Sequence, residues 1–407
     1  MKNRRLVYFD FITHYGGAQN CTVLLCEQLS KSNEVHVIDA YGFCQEYTTA
    51  MAQKDVRVYT LIANARDVVI GSGDRPLMRI LRLIKQLPIL LKLRRRLIKR
   101  ILQLNPDLIW TNSVKSLFFL ATTMRLRKYA IALYTHGWYK ESQLPWYARW
   151  LIKYRTDLLL AVSNPTKKAL MNWGVNESKI HVVFNTVDFN KVLEGASKEP
   201  STPLPGDDKR YKILVPASLV RTKGQHTAIM SAALLKQKKL DFVMWLAGDV
   251  GEGGKLEYVD YLKELISDNG LEERVFLLGW RSDITTLMRM ADVVVLPTHT
   301  EGLPRAVQEA MILERPVIST AVGGIPDLVI DGETGLLVPV EDEYSLAESV
   351  EKLMLDGDLS TVLAANGHRY MYENFSTHKH IALVREAFEW GIVGQRKRKG
   401  RQLNNIE

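Results

Sequence analysis

The chain has 407 residues, of which 46% are hydrophobic and 24% are charged. At about 100 to 200 residues per domain, this length predicts two domains or three small ones and excludes a single small module. The composition is close to globular averages, and no stretch reaches the roughly 18 consecutive apolar residues of a spanning helix. Collagen-like, disordered and membrane-embedded classes are thereby excluded.

The N-terminus and the cysteines indicate the compartment. The first residues, MKNRRLVYFDF, pass from a basic start into a strand-like segment, with no apolar signal region and no cleavage site. The three cysteines, Cys21, Cys26 and Cys44, lack CxxC spacing, which argues against a disulfide framework or a zinc site. We therefore expect a cytoplasmic protein.

Short apolar runs alternate with helical patterns along the whole chain. Because these runs are continuously apolar, they predict strands that are buried on both faces of a parallel sheet. The predicted strands are Leu6–Phe9, Val35–Ile38, Val56–Leu61, Leu108–Trp110, Ile131–Tyr134 and Leu158–Val162 in the first half, and Ile213–Pro216, Phe242–Leu246, Val275–Leu278, Val293–Leu296, Val317–Ile318 and Gly335–Val338 in the second. The predicted fold class is α/β, with two Rossmann-like, doubly wound domains.

Gly16 and Gly17 follow the first predicted strand and precede a helical pattern. A βα turn at this place needs a positive φ and lets the backbone approach a ligand closely. The spacing is not G-x-G-x-x-G, so support for a nicotinamide cofactor is weak. For either glycine taken singly, a structural turn and a ligand-binding turn both remain open.

The segment Arg75–Arg100 contains ten basic residues and no acidic ones, while the rest of the chain has 44 basic and 45 acidic residues. Its apolar residues recur at helical spacing, which predicts a cationic amphipathic helix that Pro88 breaks or kinks. Such a helix suits an anionic membrane surface, at roughly 1 kcal/mol per basic residue near the headgroups. The alternative is an ordinary surface helix, which we expect for Leu90–Leu104. Because the charge is local, we expect no nucleic-acid partner.

The stretch from 136 to 150 holds a candidate ligand residue and an aromatic cluster. His136 ends the run IALYT and therefore lies at the carboxyl edge of the predicted sheet, although a single histidine is more often structural. The aromatic residues either lie at a membrane interface or pack in the core: Trp138, Tyr139, Trp146, Tyr147 and Trp150.

The chain changes character between its halves. Residues 191–210, KVLEGASKEPSTPLPGDDKR, are rich in Pro, Gly, Ser and charge and lack apolar periodicity, as is typical of a linker. We predict a first domain over 1–187, a linker over 188–210 and a second domain over 211–372. The remaining residues, 373–407, are predicted to form a final helix and a basic tail.

Lys223 and Gly224 follow the first strand of the second half. A lysine on a glycine turn at the carboxyl end of a parallel strand is well placed to bind a diphosphate. Arg221 is the nearest further cation, although an isolated surface role remains open for both basic residues.

The stretch THTEGLPRAVQEAM, which follows the run ADVVVLP, is the clearest constellation. Pro304 is predicted as the first residue of a helix, which puts the backbone amides of Gly302 and Leu303 at its positive end, where a phosphate binds. Glu301 and Glu309 flank this turn, and their carboxylates can accept hydrogen bonds from a sugar and from a ribose diol. The alternative is a capped amphipathic helix with two solvated glutamates.

Two acidic runs are candidate metal ligands, namely Glu341–Glu343 and Asp356–Asp358. Both lie in polar stretches far in sequence from the candidate phosphate loop, and the sequence shows no convergence of the oxygen ligands that a hard cation needs. We expect surface loops, no bound metal and no cofactor, since Lys223 and the helix start can balance a leaving diphosphate.

The stretch EGLPRAVQEAM resembles the E-x7-E signature of the GT-B glycosyltransferases, in particular the retaining family GT4. The runs RVFLLGWRSDITTLMRMADVVVLP, PVISTAVGGIPDLV and DGETGLLVP around it are similar to the same family, as are HYGGAQ, TDLLLAVSNPTKKAL and KIHVVFNTVDF in the first half. The resemblance therefore covers nearly the whole chain.

The resemblance implies two domains that face a cleft, with a final helix (376–390) that crosses back to the first domain. It implies that Glu301 holds the donor sugar, Glu309 the ribose and Lys223 the diphosphate, and that His136 contacts the sugar. It also places Gly16 and Gly17 across the cleft from the donor phosphates and near the acceptor, and we count both among the donor-binding candidates. The catalytic candidates are His136, Glu301 and Lys223. The family's second diphosphate ligand is an arginine five residues before the lysine; this chain has Ser218 there, so Arg221 is the candidate substitute.

The predicted function is retaining transfer of a sugar from a nucleotide-sugar to an acceptor hydroxyl, without a metal. The basic segment favours a lipid-linked glycan or glycolipid acceptor, in cell-surface polysaccharide synthesis at the cytoplasmic face of a membrane. The alternatives are a nucleotide-sugar epimerase or hydrolase of the same fold, and a non-catalytic nucleotide-binding or membrane-binding module.

Overall fold

The computed structural model describes residues 1–13, 15–63, 76–136, 144–206, 209–250 and 256–404, with the side chains of 76–84 and 399–404 left out. The chain divides into two compact units. The first unit comprises Met1–Val162, Lys167–Val183 and Ile381–Glu407, and the second comprises Ser163–Thr166 and Phe184–His380.

Strands and helices alternate along the described residues. The strands are β1 (Arg5–Asp10), β2 (Glu34–Asp39), β3 (Arg57–Thr60), β4 (Leu108–Thr111), β5 (Ala130–Thr135), β6 (Leu158–Ala161), β7 (Ile180–Val182), β8 (Tyr211–Pro216), β9 (Phe242–Ala247), β10 (Val275–Gly279), β11 (Val293–Leu296), β12 (Val317–Thr320) and β13 (Leu336–Val338). The helices are α1 (Gly17–Ser30), α2 (Gln45–Ala52), α3 (Pro76–Leu104), α4 (Val114–Ala121), α5 (Trp146–Arg155), α6 (Asn164–Asn172), α7 (Phe189–Ala196), α8 (Gln225–Gln237), α9 (Leu256–Asp268), α10 (Ile284–Met290), α11 (Arg305–Ile312), α12 (Glu343–Leu355), α13 (Gly357–Asn374) and α14 (Thr377–Asn404).

The first unit is built on a seven-stranded sheet in the order β3-β2-β1-β4-β5-β6-β7. All of its pairs are parallel, so the carboxyl ends of the strands lie at one edge. The strand order reverses between β1 and β4, which is where ligands bind in open sheets of this type. The predicted α/β class and doubly wound arrangement are confirmed.

The second unit repeats this plan with six parallel strands in the order β10-β9-β8-β11-β12-β13. Here the order reverses between β8 and β11. The strands β8, β9, β11 and β12 are almost wholly buried, which explains why their sequences are continuously apolar rather than alternating.

The predicted strands of both halves are present, and the structure adds β7, which the sequence analysis missed. This strand is only three residues long, IHV, and pairs at the edge of the first sheet. A run of three residues that contains a histidine carries too little apolar signal to predict a strand.

Residues 188–210, predicted as a linker, belong to the second unit and contain helix α7. Asp188 caps this helix by accepting a hydrogen bond from the Lys191 amide, and Val192 and Ala196 are buried. The α10 residue Arg289 donates a hydrogen bond to the Ala196 carbonyl. Although the composition of this stretch is polar, part of it forms a helix that packs against the second unit.

Helix α3 passes through Pro88 as one continuous helix of 29 residues. Of the two predicted effects of this proline, the break is therefore wrong, and the kink stays a prediction. Its second half is anchored by Leu93, Leu97 and Ile101, each fully buried in the first core. This burial is the ordinary surface-helix packing expected for Leu90–Leu104. No helix among the described residues combines the length and the apolar character needed to cross a bilayer.

Candidate functional site

The loop between β11 and α11 carries the central candidates of the second unit. Helix α11 begins at Arg305, and Pro304 is its N-cap in an extended conformation. The prediction of Pro304 as the first helical residue was therefore wrong by one position. Gly302 and Leu303 are buried directly before the N-cap, at the positive end of the helix.

Gly323 and Gly324, which have no assigned role in the sequence analysis, contact the backbone of this loop. A Cβ on Gly323 would lie 1.8 Å from the Glu301 carbonyl oxygen, and one on Gly324 would lie 1.9 Å from the Gly302 carbonyl oxygen. Gly323 also has φ +53°, and the Gly324 amide donates to the Glu301 carbonyl at 3.3 Å. Only glycine permits this backbone contact. The available signal was the paired glycine just after the run PVIST.

Lys223 lies on a 3₁₀ turn between β8 and α8, and its ammonium group donates a hydrogen bond to Glu301 Oε1. The adjacent Gly224 has φ +72°, and a Cβ there would lie 1.9 Å from the Pro297 carbonyl oxygen. The His299 amide donates to the Thr222 carbonyl at 2.8 Å. The turn is therefore fastened to the β11–α11 loop by backbone contacts, and two predicted site residues are brought together.

Glu309 lies within α11 and is not a solvated residue. Its side chain is 12% exposed, and Arg305 Nη2 donates to Glu309 Oε1 at 3.0 Å. Burial raises the pKa of Glu309, while the charge of Arg305 opposes the rise. A carboxylate held in this way is a strong hydrogen-bond acceptor for a hydroxyl pair.

Arg221 is exposed, and its guanidinium carbon lies 5.7 Å from the centroid of the Tyr261 ring. Among the described contacts it does not join the pair formed by Lys223 and Glu301. The predicted substitution for the family's second diphosphate ligand therefore stays a prediction.

Two buried amide side chains that the sequence analysis did not single out brace the start of α11. Asn185 Nδ2 donates to the Leu303 carbonyl at 3.4 Å, and Gln308 Nε2 donates to Asn185 Oδ1 at 3.3 Å. Asn185 lies in the motif FNTVDF, so the motif carried a signal for this residue.

In the first unit, Gly16 is the N-cap of α1 and Gly17 is its first residue. Gly16 has φ −117°, and its amide donates to the Gln19 side chain at 3.2 Å. The expectation of a positive φ at this turn is therefore wrong, because the helix starts directly at the second glycine. A small residue at this N-cap still leaves the helix start accessible.

His136 directly follows β5 and is half-buried. Its ring lies against Tyr134, with 4.3 Å between the ring centroids. The Tyr134 hydroxyl donates to the Val183 carbonyl at 3.0 Å, which fixes the surface on which the histidine packs. The glycine that follows His136 in the sequence, Gly137, lies outside the described residues.

Asp10, at the carboxyl end of β1, is a polar residue that the sequence analysis missed. Its Oδ1 accepts hydrogen bonds from Ser113 Oγ at 2.7 Å and from Ser116 Oγ at 2.6 Å, and its Oδ2 accepts one from Tyr8. The network joins the ends of β1 and the start of α4 at the point where the strand order reverses. It had no sequence signal because the serines are about a hundred residues away.

The acidic runs serve mainly as helix caps. Asp342 accepts a hydrogen bond from the Ser345 amide at the start of α12, and Asp356 accepts one from the Leu359 amide at the start of α13. Hydrogen bonds from Ser345 lower the pKa of Asp342. These carboxylates stabilise helix ends, as aspartate does at N-caps.

Two family profiles match the chain in succession. Residues 15–191 match the family described as Glycosyltransferase Family 4, and residues 198–370 match the family described as Glycosyl transferases group 1. The two matches together span both halves of the chain.

Curated relatives and solved structures agree with these matches. The capsular polysaccharide biosynthesis glycosyltransferase CapM of Staphylococcus aureus is 28% identical over 233 residues, which cover 54% of this chain and 58% of CapM. The lipopolysaccharide core biosynthesis glycosyltransferase LpsE of Rhizobium meliloti is 28% identical over 241 residues, which cover 59% of this chain and 66% of LpsE. The chain thus matches about three fifths of the length of these relatives.

A crystal structure of HepE from Anabaena in complex with UDP is similar over 96% of this chain and 100% of that chain, with a TM-score of 0.77 and 22% identity. At this identity the likeness concerns the fold, which is the same pair of Rossmann-like domains.

Proposed function

Because this chain belongs to the GT4-type group 1 glycosyltransferases and has the two-domain GT-B fold, we propose that it moves a sugar from a nucleotide-sugar to an acceptor hydroxyl with retention of configuration. The observation that carries the proposal is the pairing of Lys223 with Glu301 at the start of α11, with the buried Glu309 on the same helix. This arrangement offers one cation for a diphosphate and two carboxylates for hydroxyl groups.

The proposed roles follow from the charge that develops during transfer. As the bond between the anomeric carbon and the diphosphate oxygen breaks, negative charge grows on the departing diphosphate. Lys223 and the amides of Gly302 and Leu303 stabilise that charge, so no divalent cation is needed for this step. The Lys223 ammonium pairs with Glu301, and a bound diphosphate would share that ammonium.

The remaining roles concern the sugar, the ribose and the acceptor. Glu301 accepts hydrogen bonds from the sugar hydroxyls and Glu309 from the ribose hydroxyls. The acceptor oxygen forms the new bond to the anomeric carbon, and its proton passes to the departing diphosphate oxygen on the same face. We assign His136 to the sugar, and Gly16 with Gly17 to the acceptor side.

The donor assignment is tested by nucleotide binding. A thermal-shift panel of UDP, GDP and ADP comes first, since a ligand at 100 times its Kd adds about 2.7 kcal/mol of stability. UDP heads the panel because the HepE structure of the same fold contains it. Glu309→Gln should weaken binding of the free nucleotide, whereas Glu301→Gln should leave that binding near wild type and lower kcat.

Glu314→Gln is the matched control, because this carboxylate lies just after α11 and is 61% exposed. It should change neither quantity. Equal weakening of nucleotide binding by Glu301→Gln and Glu309→Gln would contradict the division of roles. The anomeric configuration of the product, read by NMR, tests retention.

The same assay separates two rival functions. An epimerase or hydrolase of this fold would release an epimer or free sugar from the donor without any acceptor. A non-catalytic module would bind a nucleotide and turn over none of the donors. Acceptor-dependent consumption of the donor is the result that we expect.

We further propose a lipid-linked glycan or glycolipid acceptor, made accessible by docking of the first unit on the cytoplasmic face of an anionic membrane. CapM and LpsE are named for capsular polysaccharide and lipopolysaccharide core synthesis, which supports a role in cell-surface polysaccharides. In the second half of α3, part of the basic charge already serves the fold: Arg94 donates to the Thr122 carbonyl, Arg96 donates to the Leu61 carbonyl and Arg100 lies over the Tyr59 ring.

We therefore place the docking surface on the first half and the middle of α3. Leu87 and Leu91 on this helix are about half exposed, at 51% and 48%. Of the aromatic residues singled out above, Trp146, Tyr147 and Trp150 lie on α5 and are exposed, so core packing does not account for them. Trp138 and Tyr139 lie outside the described residues.

Vesicle co-sedimentation tests the docking. The wild type should sediment with phosphatidylglycerol vesicles, less so at high salt, because the attraction falls off within a Debye length of about 8 Å at physiological ionic strength. A variant with Arg79, Arg82 and Lys85 changed to Glu should sediment less. Sedimentation that ignores lipid charge and salt would favour a soluble acceptor instead.

A further inference from the structure

Two histidines and a glutamate from three separate segments of the second unit meet close to the candidate diphosphate turn. His226 lies in the first turn of α8, His299 lies in the β11–α11 loop and Glu341 precedes α12. One nitrogen of each ring and one carboxylate oxygen all lie within 4.8 Å of one another. None of these three residues has a role in the transfer proposed above.

The distances are those of a nearly assembled metal site. Glu341 Oε1 lies 4.0 Å from His226 Nε2 and 3.8 Å from His299 Nδ1. Two ligand atoms that each lie about 2.1 Å from a tetrahedral zinc ion are about 3.4 Å apart. Side-chain shifts of less than an ångström would therefore bring all three atoms to bonding distance.

The surroundings of the His226 ring support ligation. His226 Nδ1 and the Tyr258 hydroxyl are 3.0 Å apart, and that hydroxyl also donates to Gln225 Oε1 at 3.3 Å. An outer partner on one ring nitrogen fixes the ring and leaves the other nitrogen for a metal, as is usual for ligating histidines. His299 presents Nδ1 to Glu341, and its other ring nitrogen, Nε2, is buried without a hydrogen-bond partner among the described residues, so the outer-partner argument applies to His226 alone.

The backbone holds the third ligand in an unusual conformation. Glu341 has φ +57°, in the left-handed region that residues other than glycine rarely adopt. Its side chain is 62% exposed, so one carboxylate oxygen faces the histidines while the site stays open to solvent. An entry path for an ion therefore exists.

We propose that His226, His299 and Glu341 bind one divalent transition-metal ion of the zinc class. Two imidazoles and one carboxylate match the ligand preference of zinc and of its neighbours, and they leave a fourth position for water. The ion would join three segments that are distant in sequence. Two of those segments carry Lys223 and Glu301, so the ion would stiffen the candidate donor loop without taking part in the bond-breaking step.

The test uses the untagged full-length chain after removal of metals. We expect one Zn²⁺ to bind per chain in calorimetry, and Co²⁺ to give visible absorption bands typical of a four- or five-coordinate site. Glu341→Gln and His299→Gln should each lower Zn²⁺ affinity by about tenfold or more, because even outer partners of metal ligands are worth 10- to 100-fold. At the same Zn²⁺ concentration, the unfolding temperature should rise more for the wild type than for Glu341→Gln.

The matched control is the pair of His368 and Glu314, whose Nε2 and Oε1 atoms are 3.7 Å apart in the same unit. His368→Gln should leave Zn²⁺ affinity and the Co²⁺ spectrum unchanged. Glu341 is largely exposed, so its glutamine variant tests the site without endangering the fold. Equal Zn²⁺ affinity in the wild type, Glu341→Gln and His299→Gln, or no binding by the wild type at micromolar Zn²⁺, would overturn the proposal. Neither result depends on a sugar donor, so the proposed transfer reaction would be unaffected.

Discussion

The candidate residues of the two units are held in different ways. In the second unit, Lys223 contacts Glu301 across 78 positions of sequence, and the loop of Glu301 rests on the backbone of Gly323 and Gly324. In the first unit, His136 packs on its own strand neighbour Tyr134. In the second unit, contacts between distant segments thus fix the candidate charges in place. Under the proposed function, charges fixed in this way contribute most to stabilising a transition state.

The largest expected effect on the second unit is the loss of stability in Gly323→Ala. The new Cβ would overlap the Glu301 carbonyl at 1.8 Å and occupy a positive φ, and the two effects together should cost more than about 3 kcal/mol. Gly332→Ala is the control, because φ there is +73° with no atom within 4 Å of the added Cβ. It should cost only about 1–2 kcal/mol in urea unfolding. Similar losses in the two variants would show that the glycine contact does not support the loop.

The pH dependence of stability tests the buried carboxylate Asp39 in the first unit, which differs from Glu309 in the second. Asp39 accepts hydrogen bonds from the Ile12, Tyr41 and Gly42 amides, and burial raises its pKa to about 6, whereas Glu309 has a cationic partner in Arg305. The folded protein therefore binds the Asp39 proton more tightly than the unfolded chain does. Its contribution to stability is present below about pH 4 and is lost as the pH rises through 6, by about 2 to 3 kcal/mol.

Asp39→Asn should remove this dependence, so the difference in unfolding free energy between the variant and the wild type should shift in favour of the variant from pH 4 to pH 7.5. Asp241→Asn is the control, since this carboxylate is 75% exposed beside Arg274. The same pH-dependent shift in both variants would refute the assignment to Asp39.

Lys223→Ala tests the charge at the centre of the second unit. Removing one preorganised donor should lower kcat by about 100-fold, and the loss should exceed any rise in KM. Lys238→Ala removes a lysine that pairs with Glu351 on the surface of the same unit, and it should leave kcat unchanged. A loss confined to KM would mean that Lys223 binds substrate and transition state equally.

The smallest expected effect belongs to the first unit. His136→Ala should lower kcat by about tenfold, equivalent to about 1.4 kcal/mol, without changing UDP affinity, because the nucleotide is assigned to the second unit. His181→Ala is the control, because the His181 ring packs on Trp390 in the first unit. This variant should change neither kcat nor UDP affinity. Weakened UDP binding by His136→Ala would contradict the assignment of nucleotide binding to the second unit.

The residue pattern alone predicted the two parallel sheets, and together with the family resemblance it indicated the candidate site residues. Continuous apolar runs predict strands buried on both faces, and glycine, proline and lysine at the carboxyl ends of parallel strands point to ligand turns. Lys223, Glu301, Gly302, Leu303 and Glu309 were chosen in this way, together with the family resemblance. These inferences depend on local periodicity and on the edge at which parallel strands end.

Tertiary structure alone decided which of those residues touch. The contact of Lys223 with Glu301, the backing of the loop by Gly323 and the meeting of His226, His299 and Glu341 each join segments that are far apart in sequence. Local patterns carry no information on such distances, because the separation of two loops depends on how strands order themselves in the sheet and how closely the backbones pack. From the sequence, Glu341 is therefore expected in a surface loop, and only the folded chain places it beside two imidazoles.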